Sequence, residues 1–572
     1  MPGAVPSPWI RPLRVGPDFV AGVDELAARV PDGARVSIGG FHFSRIPMRL
    51  VEAVARRRAQ RLTSIQWGGG LGLEILLEAG CIEHIVFCFS SLDVFGLAPH
   101  FRADLEAGGV TSEEYTALEL HHALLAAEMN LPWLPLQAPA GSWRAPHLRR
   151  SLLSRSPAID FDVVLLHAQR ADEDGNVQIV GSAGLDRTLA LAGRRVLVTV
   201  EEIVDRSRFQ GRTGVVPRQF VEAIAAAPGG AWPTACIPNY TADYLEVATR
   251  VERAAFAGSD RQTTAIRGPG DDLIRAAGVK WASAPWPSPD TTHRDTADLL
   301  VAWLARELDN AAVCSVGATS PLATVAYLVA KATHAPRLTL ITHNGGYIDV
   351  GRRFASLTFA EPADFQSAAV HCGGDDSYRW YYQQSRVTHE IVGAAQIDGA
   401  GRTNNSWIDR PDGRRLRMPG QGGMADVANM HRNFILYAPR QSKQQLVEHV
   451  DLVSAARGLT AVQRRQLGYG AGDVVLVTDL AVFRLGEGRQ RFHLETLHPG
   501  VTLKELRSQT GFEFDAPARP AETVPPTESE CRDIARVDPF GIRRIEFVPS
   551  RQRISAIREI AAREREYLGT IT

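Results

Sequence analysis

"PRLTLITHNGGYID" at residues 336–349 decides the fold, because "QRLTSIQWGGGLGLE" at residues 60–74 reads the same way. In both, an apolar, β-branched run enters a tight glycine turn. Outward from the earlier copy, "ARVSIGG" is followed by "IPMRLVEAVARRRA" and later by "LGLEILLEAG", so short strand-like runs alternate with segments of helical period. This alternation predicts βαβ units and a mainly parallel sheet. It continues through "FDVVLLHAQ" and "RRVLVTVEEIV" and stops at "KWASAPWPSPDTTHRD", residues 280–295, where proline and polar residues replace periodicity.

Beyond that break the pattern restarts in the same order. "AAVCSVGATSPLATVAYLVAKA" answers "ARVSIGGFHFSRIPMRLVEAVA", and "HEIVGAAQIDGAGRTNNS" answers "FDVVLLHAQRADEDGNVQI". Together with the opening pair these are three collinear matches, the mark of an internal duplication. The expected fold class is α/β, with two similar, open, mainly parallel domains at residues 15–280 and 296–550 joined by a linker at 281–295. Ligands of open α/β sheets bind at the carboxyl ends of strands, so the active site is expected between the two domains.

The 572 residues carry 63 Lys and Arg against 64 Asp and Glu, a balance that argues against nucleic acid or a membrane surface as the main partner and leaves a small molecule. Positive charge is almost all arginine, the lysines being Lys280, Lys331, Lys443 and Lys504. The six cysteines (Cys81, Cys88, Cys236, Cys314, Cys372 and Cys531) show no zinc spacing, so no metal is expected, and they suit a reducing cytoplasm. No stretch approaches the roughly 18–20 unbroken apolar residues of a membrane span, and the N-terminus lacks a signal-like apolar core.

Several glycines are candidates for binding. Gly39 and Gly40, then Gly68, Gly69, Gly70 and Gly72, lie in turns where backbone N–H groups could face an anion or oxyanion, or where glycine serves only the turn. Gly345, in the opening stretch, joins them. No dinucleotide or P-loop fingerprint is complete. "RMPGQGGMADVA" places Gly420, Gly422 and Gly423 just before Asp426 and a helical run, which suits backbone close to a thioester or a diphosphate, or a surface loop. The paired segments with Gln169, Asp172, Gly175 and Asn176, and with Gln396, Asp398, Gly401 and Asn404, read as turn chemistry, with Gln396 a candidate to reach the cleft. Acid–base candidates are Glu74, Glu113, Glu114, Glu119, His121, His122, Glu201, Glu202 and His343. Glu119 sits in a helix-like run with an apolar stripe, where half-burial would raise its pKa and suit a base.

Taken together, "IGGF…IP", "VTVEEIVD" and "VEAIAAAPGGAWPT" in the first half, and "VGAAQID", "MPGQGGMADVA", "VLVTDLAVFRL" and "LHPGVTLKELRSQTGFEF" in the second, give the chain a family likeness. Over most of residues 30–550 it resembles the class I coenzyme A transferases of the glutaconate type, with their α and β subunits joined in one polypeptide. The resemblance implies a pair of CoA-transferase/NagB-like domains, acyl-CoA and coenzyme A as substrates, and no permanently bound cofactor. It also implies a glutamate in the second half that attacks the thioester, giving an acyl-glutamyl anhydride and then a glutamyl-CoA thioester. At the matching turn, "THNGG" at 342–346, this chain has His343 or Asn344 instead, depending on one gap.

A related subgroup without that glutamate is similar in "GGGLGLEILLEAG", "FSSLDVFG" and "GGVTSEEYTALELHHALLAAEMNLPWLP". Its members open cyclic 3-oxoacyl-CoA intermediates of steroid-ring degradation by adding water, with a first-half glutamate as base. That base aligns near Ala117, two residues from Glu119 and three from Glu114. Three readings follow: a CoA transferase, a hydrolase in which Glu119 or His343 activates water, and an inactive CoA-binding or regulatory paralogue. A fused chain already forms the heterodimer-like unit, and a homo-oligomer of that unit is compatible with it.

Overall fold

Two parallel sheets account for the alternation read from the sequence. The computed structural model describes residues 19–137, 153–209, 215–256, 268–290, 295–317, 320–342, 346–486 and 488–572. In the first half, strands β1 (Arg35–Ile38), β2 (Leu62–Gly69), β3 (Ile82–Ser90), β4 (Thr111–Glu114), β5 (Val163–Asp172), β6 (Arg195–Val204) and β7 (Ala223–Ala226) lie in the order β7-β6-β5-β1-β2-β3-β4. All six pairings are parallel. β5 is apolar without alternation because helices cover both faces of the sheet, and Val163 to Leu166 are fully buried.

The second half repeats this core. Strands β8 (Val313–Ser315), β9 (Thr339–Ile341), β10 (His389–Gly393), β11 (Asn433–Ala438) and β12 (Val474–Thr478) pair in parallel in the order β9-β8-β10-β11-β12. Strands β13 (Ala481–Leu485) and β14 (His493–Leu497) then extend it antiparallel. Setting β3 and β4 aside as an edge addition, both cores run second, first, third, fourth, fifth. The duplicated sequence thus gives a duplicated topology. In each core the strand order reverses between the first and third strands, β1 and β5 or β8 and β10, which is where open α/β sheets form a binding crevice.

Helices that position the site are α1 (Met48–Arg57), α2 (Ala117–Glu128), α3 (Tyr244–Phe256), α4 (Pro321–Ala332), α5 (Met424–Met430) and α6 (Ser550–Ile571). α1 buries Leu50, Val51 and Val54 on one face, carries Arg56 and Arg57 in its last turn and ends on a left-handed Arg58. The paired Asp/Gly/Asn segments close turns: Asp172 accepts from the Asn176 backbone N–H at 2.8 Å, and Asp398 from that of Ala400 at 3.0 Å.

The C-terminal segment ties both halves together. Arg543 is buried and pairs with Asp290, Asp298 and Asp538 at 3.1, 2.6 and 2.8 Å. On α6, Arg558 meets Glu252 of α3 at 2.7 Å, and Glu564 accepts from Ser356 Oγ and from the N–H groups of Leu357 and Thr358. One hydrophobic core holds Leu50 and Val54 together with Leu300, Val325, Ile557 and Leu568. Among the described residues, no helix is long and apolar enough to cross a membrane.

Candidate active site

The strand ends of the two sheets enclose a cavity of about 710 Å³. From the first half come Phe41 and His42 after β1, Trp67 and Gly68 on β2, and Cys88 and Phe89 on β3. From the second come Val316 and Gly317 after β8, Ile341 and Thr342 at the end of β9, and Glu390 on β10. An aromatic wall crosses the boundary between the halves. Trp67 meets Tyr378 edge-on at 5.3 Å, Tyr378 stacks on Tyr382 at 4.5 Å, and the Trp67 indole donates to the Ala117 carbonyl at 2.9 Å. Tyr378–Tyr382 form a π-helical turn, a distortion that often accompanies functional sites.

The glycines divide. Gly68, Gly420, Gly422 and Gly423 line the cavity. Gly420 has φ +111°, and a Cβ there would stand 2.6 Å from the Cys88 carbonyl, so only glycine lets this loop cross β3. The loop is anchored by the buried Glu114, which accepts from the Gln421 N–H at 2.7 Å, pairs with Arg417 at 2.7 Å and receives the Ser406 hydroxyl. Gly39, Gly40, Gly69 and Gly70 are not on the cavity surface. The Gly40 N–H is committed to Asp186 at 2.7 Å, and side chains at Gly39 and Gly69 would strike Leu166 and Ser90. Gly39, Gly40 and Gly69 are required for tight packing, whereas an added Cβ at Gly70 would meet nothing nearer than 3.8 Å.

The acid–base candidates are also sorted by the structure. Glu119 is the N3 residue of a capping box on α2: it accepts from the Thr116 N–H at 3.0 Å, while Thr116 Oγ1 accepts from the Glu119 N–H at 3.1 Å. It does not line the cavity, although Ala117 does. Glu119 is half-buried, and the place the structure gives it is that of a helix cap beside the cavity wall. Gln396 does not reach the cavity either, since its amide bridges Asp451 and Asn404 at 2.8 Å each. Glu74 caps Pro99–Glu106 through the His100 and Phe101 N–H groups, and burial raises its pKa to about 7. His121 and His122 are buried and held below the usual histidine range by desolvation. Glu201 is locked to His167 and Tyr240 at 2.8 Å each, and Glu202 pairs with Arg170. Ligand atoms of His167, Glu201 and Cys236 lie within 4.8 Å of one another, but both ring nitrogens of His167 already have partners, Thr199 and Glu201. His343, Asn344 and Gly345 lie outside the described residues; Thr342, just before them, is on the cavity wall.

Asp93, Glu390 and Glu546 are the acidic residues among the described cavity lining. Glu390 is 6% exposed and sits level with Ser315 of β8 in the parallel register. Its Oε2 accepts from the Tyr382 hydroxyl at 3.0 Å and lies 3.5 Å from His431 Nδ1, while Tyr382 also contacts Ser315 Oγ. Burial pushes the Glu390 pKa up to about 7, against the hydrogen bonds from Tyr382 and Ser315. Desolvation holds His431 down at about 3, so that ring is neutral. Sequence reasoning passed over Glu390. The available signal was an acid inside "THEIVG", a run expected to be a buried parallel strand.

Glu546 enters from the C-terminal segment, accepting from the Tyr437 hydroxyl and from the Leu322 N–H at the start of α4. Its pKa is also raised by burial, to about 7. Arg102, Arg440 and Arg553 supply positive charge to the same cavity. Among the described residues, no carboxylate lies within 4.0 Å of the Arg440 or Arg553 guanidinium, whereas Arg102 pairs with Glu106.

Comparison with known proteins agrees with this geometry. The family model described as coenzyme A transferase matches residues 20–227 and again residues 300–509. One of the two subunits of glutaconate CoA-transferase from Acidaminococcus fermentans is 28% identical over 40% of this chain and 82% of its own length. The IpdA subunit of a cholesterol ring-cleaving hydrolase from Mycobacterium tuberculosis is 29% identical over 40% of this chain and 85% of its own. A solved acyl-CoA transferase from Escherichia coli O157:H7, YdiF, has the same fold, with a TM-score of 0.65 over 88% of this chain and 95% of that one at 15% identity.

Proposed function

This chain belongs to the coenzyme A transferase family, and from that premise we propose that it transfers coenzyme A between an acyl-CoA and a carboxylic acid in the cavity between its two sheets. The observation that carries this reading is the cavity itself. It is lined from both halves at the carboxyl ends of parallel strands, and its volume is of the size small-molecule sites have, about 300–1,000 Å³. Aromatic and apolar walls suit the pantetheine arm and acyl chain. The glycine loop at 420–423 brings backbone close to the reacting thioester. Arg440 and Arg553, with no carboxylate within 4.0 Å among the described residues and with Asp479 and Glu546 attracted only from farther off, suit the phosphates of coenzyme A, which enters as substrate. The fold brings together in one chain what the glutaconate enzyme divides between subunits. The free state of all six cysteines is consistent with a cytoplasmic enzyme.

A second reading, hydrolysis of a cyclic 3-oxoacyl-CoA, is favoured by one observation: a cavity carboxyl whose pKa of about 7 suits it to take a proton from water at neutral pH. The test is to incubate the purified protein with a panel of acyl-CoAs, including a cyclic 3-oxoacyl-CoA, with and without acetate or succinate, following free thiol and new thioesters by mass. Acceptor-dependent new thioesters without free thiol support transfer. Products that gain water without any acceptor support the hydrolase, and no turnover with tight CoA binding supports an inactive paralogue.

A further inference from the structure

Ping-pong transfer of CoA between two carboxylic acids needs a group on the enzyme that holds the acyl or CoA moiety between the two half-reactions, and the opening stretch offers no carboxylate for it: residues 342–346 read Thr-His-Asn-Gly-Gly. The cavity does. Of its three described acids, Glu546 is engaged by Tyr437 and by the Leu322 N–H, and Asp93 lies 3.9 Å from the ring of His42. Glu390 differs in geometry. Its Oε2 is fixed by Tyr382, and its Oε1 is turned toward Gly317, where an added Cβ would stand 3.6 Å away. Gly317 and Val392 beside it both line the cavity. The carboxyl therefore has one oxygen held and the other directed at the crevice between β8 and β10, the switch point of the second sheet.

Building on the transfer reading, we propose that Glu390 is the catalytic nucleophile, acting from β10 in place of a residue in the β9 turn. Ionised Oε1 attacks the thioester carbonyl carbon; the new C–O bond forms as the C–S bond breaks, releasing CoA thiolate and leaving an acyl-glutamyl anhydride. The thiolate then attacks the Glu390 Cδ carbonyl, expelling the acyl group as a carboxylate and leaving CoA in thioester linkage to Glu390. The acceptor carboxylate reverses both steps, with no net change in protons or electrons. Burial raises the proton affinity of this carboxyl, and with it its nucleophilicity once ionised, while leaving a sizeable ionised fraction at neutral pH.

The experiment is to incubate the full chain with succinyl-CoA or acetyl-CoA, reduce enzyme-bound thioester to the alcohol with borohydride, digest, and map the modified residue by mass. In parallel, transfer to acetate is measured for the wild type and for Glu390→Gln, with folding of the variant checked by its thermal transition. The expected result is reduction at Glu390 and a loss of transfer by roughly 10³-fold or more in the variant. A modified residue other than Glu390, or transfer by wild type with no covalent adduct, overturns the assignment and leaves the transfer reading standing. If the wild type transfers no CoA to any acceptor and instead incorporates ¹⁸O from labelled water without an adduct, the transfer reading fails and the nucleophile with it. If Glu390→Gln does not fold, the adduct map of the wild type alone decides.

Discussion

Removing the Tyr382 hydroxyl gives a sharp test of how the cavity controls Glu390. With Glu390 at about 7, and ionisation required for attack, wild-type kcat should rise with pH through that value. Tyr382 donates to Glu390 Oε2 at 3.0 Å, and a hydrogen bond to a charged group contributes about 1.5–3 kcal/mol, or roughly 1–2 pKa units. Ser315 remains as a donor in Tyr382→Phe, so the lower end applies, and the acid limb should move up by about 1 unit. At pH 7 the ionised fraction then falls from about one half to about one tenth, an expected loss of about 5-fold in kcat that vanishes by about pH 9.5. The other groups facing the carboxyl do not titrate near 7: His431 is neutral above about 3, and the Tyr378 and Tyr382 phenols are pushed well above the usual tyrosine range by burial. The nearby Asp426 carboxyl is raised by desolvation and, to a smaller extent, by the charges of Glu119 and Glu390, so Asp426→Asn removes a like charge and should move the limb down, opposite in sign to Tyr382→Phe. The assay is kcat for CoA transfer from pH 5.5 to 9.5 in wild type and variant. An equal loss at every pH, with the limb unmoved, would refute the argument.

The remaining predictions reach the rest of the site. Glu564→Ala removes the acceptor of three buried donors and should cost about 3–5 kcal/mol, read as a lower urea midpoint, with Glu564→Gln intermediate; an unchanged midpoint would mean α6 does not fasten the halves. Arg553→Ala should raise KM for acyl-CoA about 10-fold while kcat stays within about 3-fold, since its guanidinium faces the cavity; a fall in kcat alone would remove it from binding. Gly420→Ala, with its Cβ 2.6 Å from the Cys88 carbonyl, should lower kcat/KM by about 10-fold or more, whereas Gly413→Ala, also at positive φ but in open space, should leave it nearly unchanged. Glu119→Gln preserves a capping box and should leave turnover within about 2-fold; a large loss would restore a catalytic task to that carboxylate.

The α/β class and its duplication were legible because a doubly covered parallel sheet leaves a strong trace: unbroken apolar strands such as Val163–Leu166, separated by amphipathic helices, and repeated in sequence after residue 295, whereas the order of the strands within each sheet came only from the structure. The loop at 420–423 stood out for its three glycines in four positions, but the sequence left a ligand-facing loop and a surface loop both open, and only the fold places it on the cavity wall. Gly39 and Gly40 looked the same in sequence and serve packing instead, because what distinguishes them is whether Asp186 and Leu166 or an open cavity stands in front of them. That information is tertiary. The clamp from residues 543–572 was not legible at all, since apart from Asp538 the partners of Arg543, Arg558 and Glu564 are about 200 to 300 residues away in the chain.

Glu390 shows why perturbation alone could not have completed the reading. Burial brings Glu74, Glu361, Glu390 and Glu546 all to about 7. The shared value records only that each carboxyl is out of water. Glu74 accepts two N–H groups at a helix start, Glu361 accepts the Ser44 hydroxyl at 2.7 Å, and Glu546 stands against the first turn of α4. Each of these carboxyls fastens one element to another, and its raised pKa is a by-product of where that joint lies. Glu390 fastens little: Tyr382 and Ser315 hold it, both from its own sheet or the turn above it, and its second oxygen faces Gly317 at the cavity. A carboxyl inside a parallel strand costs about 3 kcal/mol to ionise at a pKa of about 7, and no structural joint offsets that cost here. The arrangement makes physical sense if the ionised oxygen has work to do in the cavity, which is why the direction of Oε1, and not the pKa, selects Glu390 from the four.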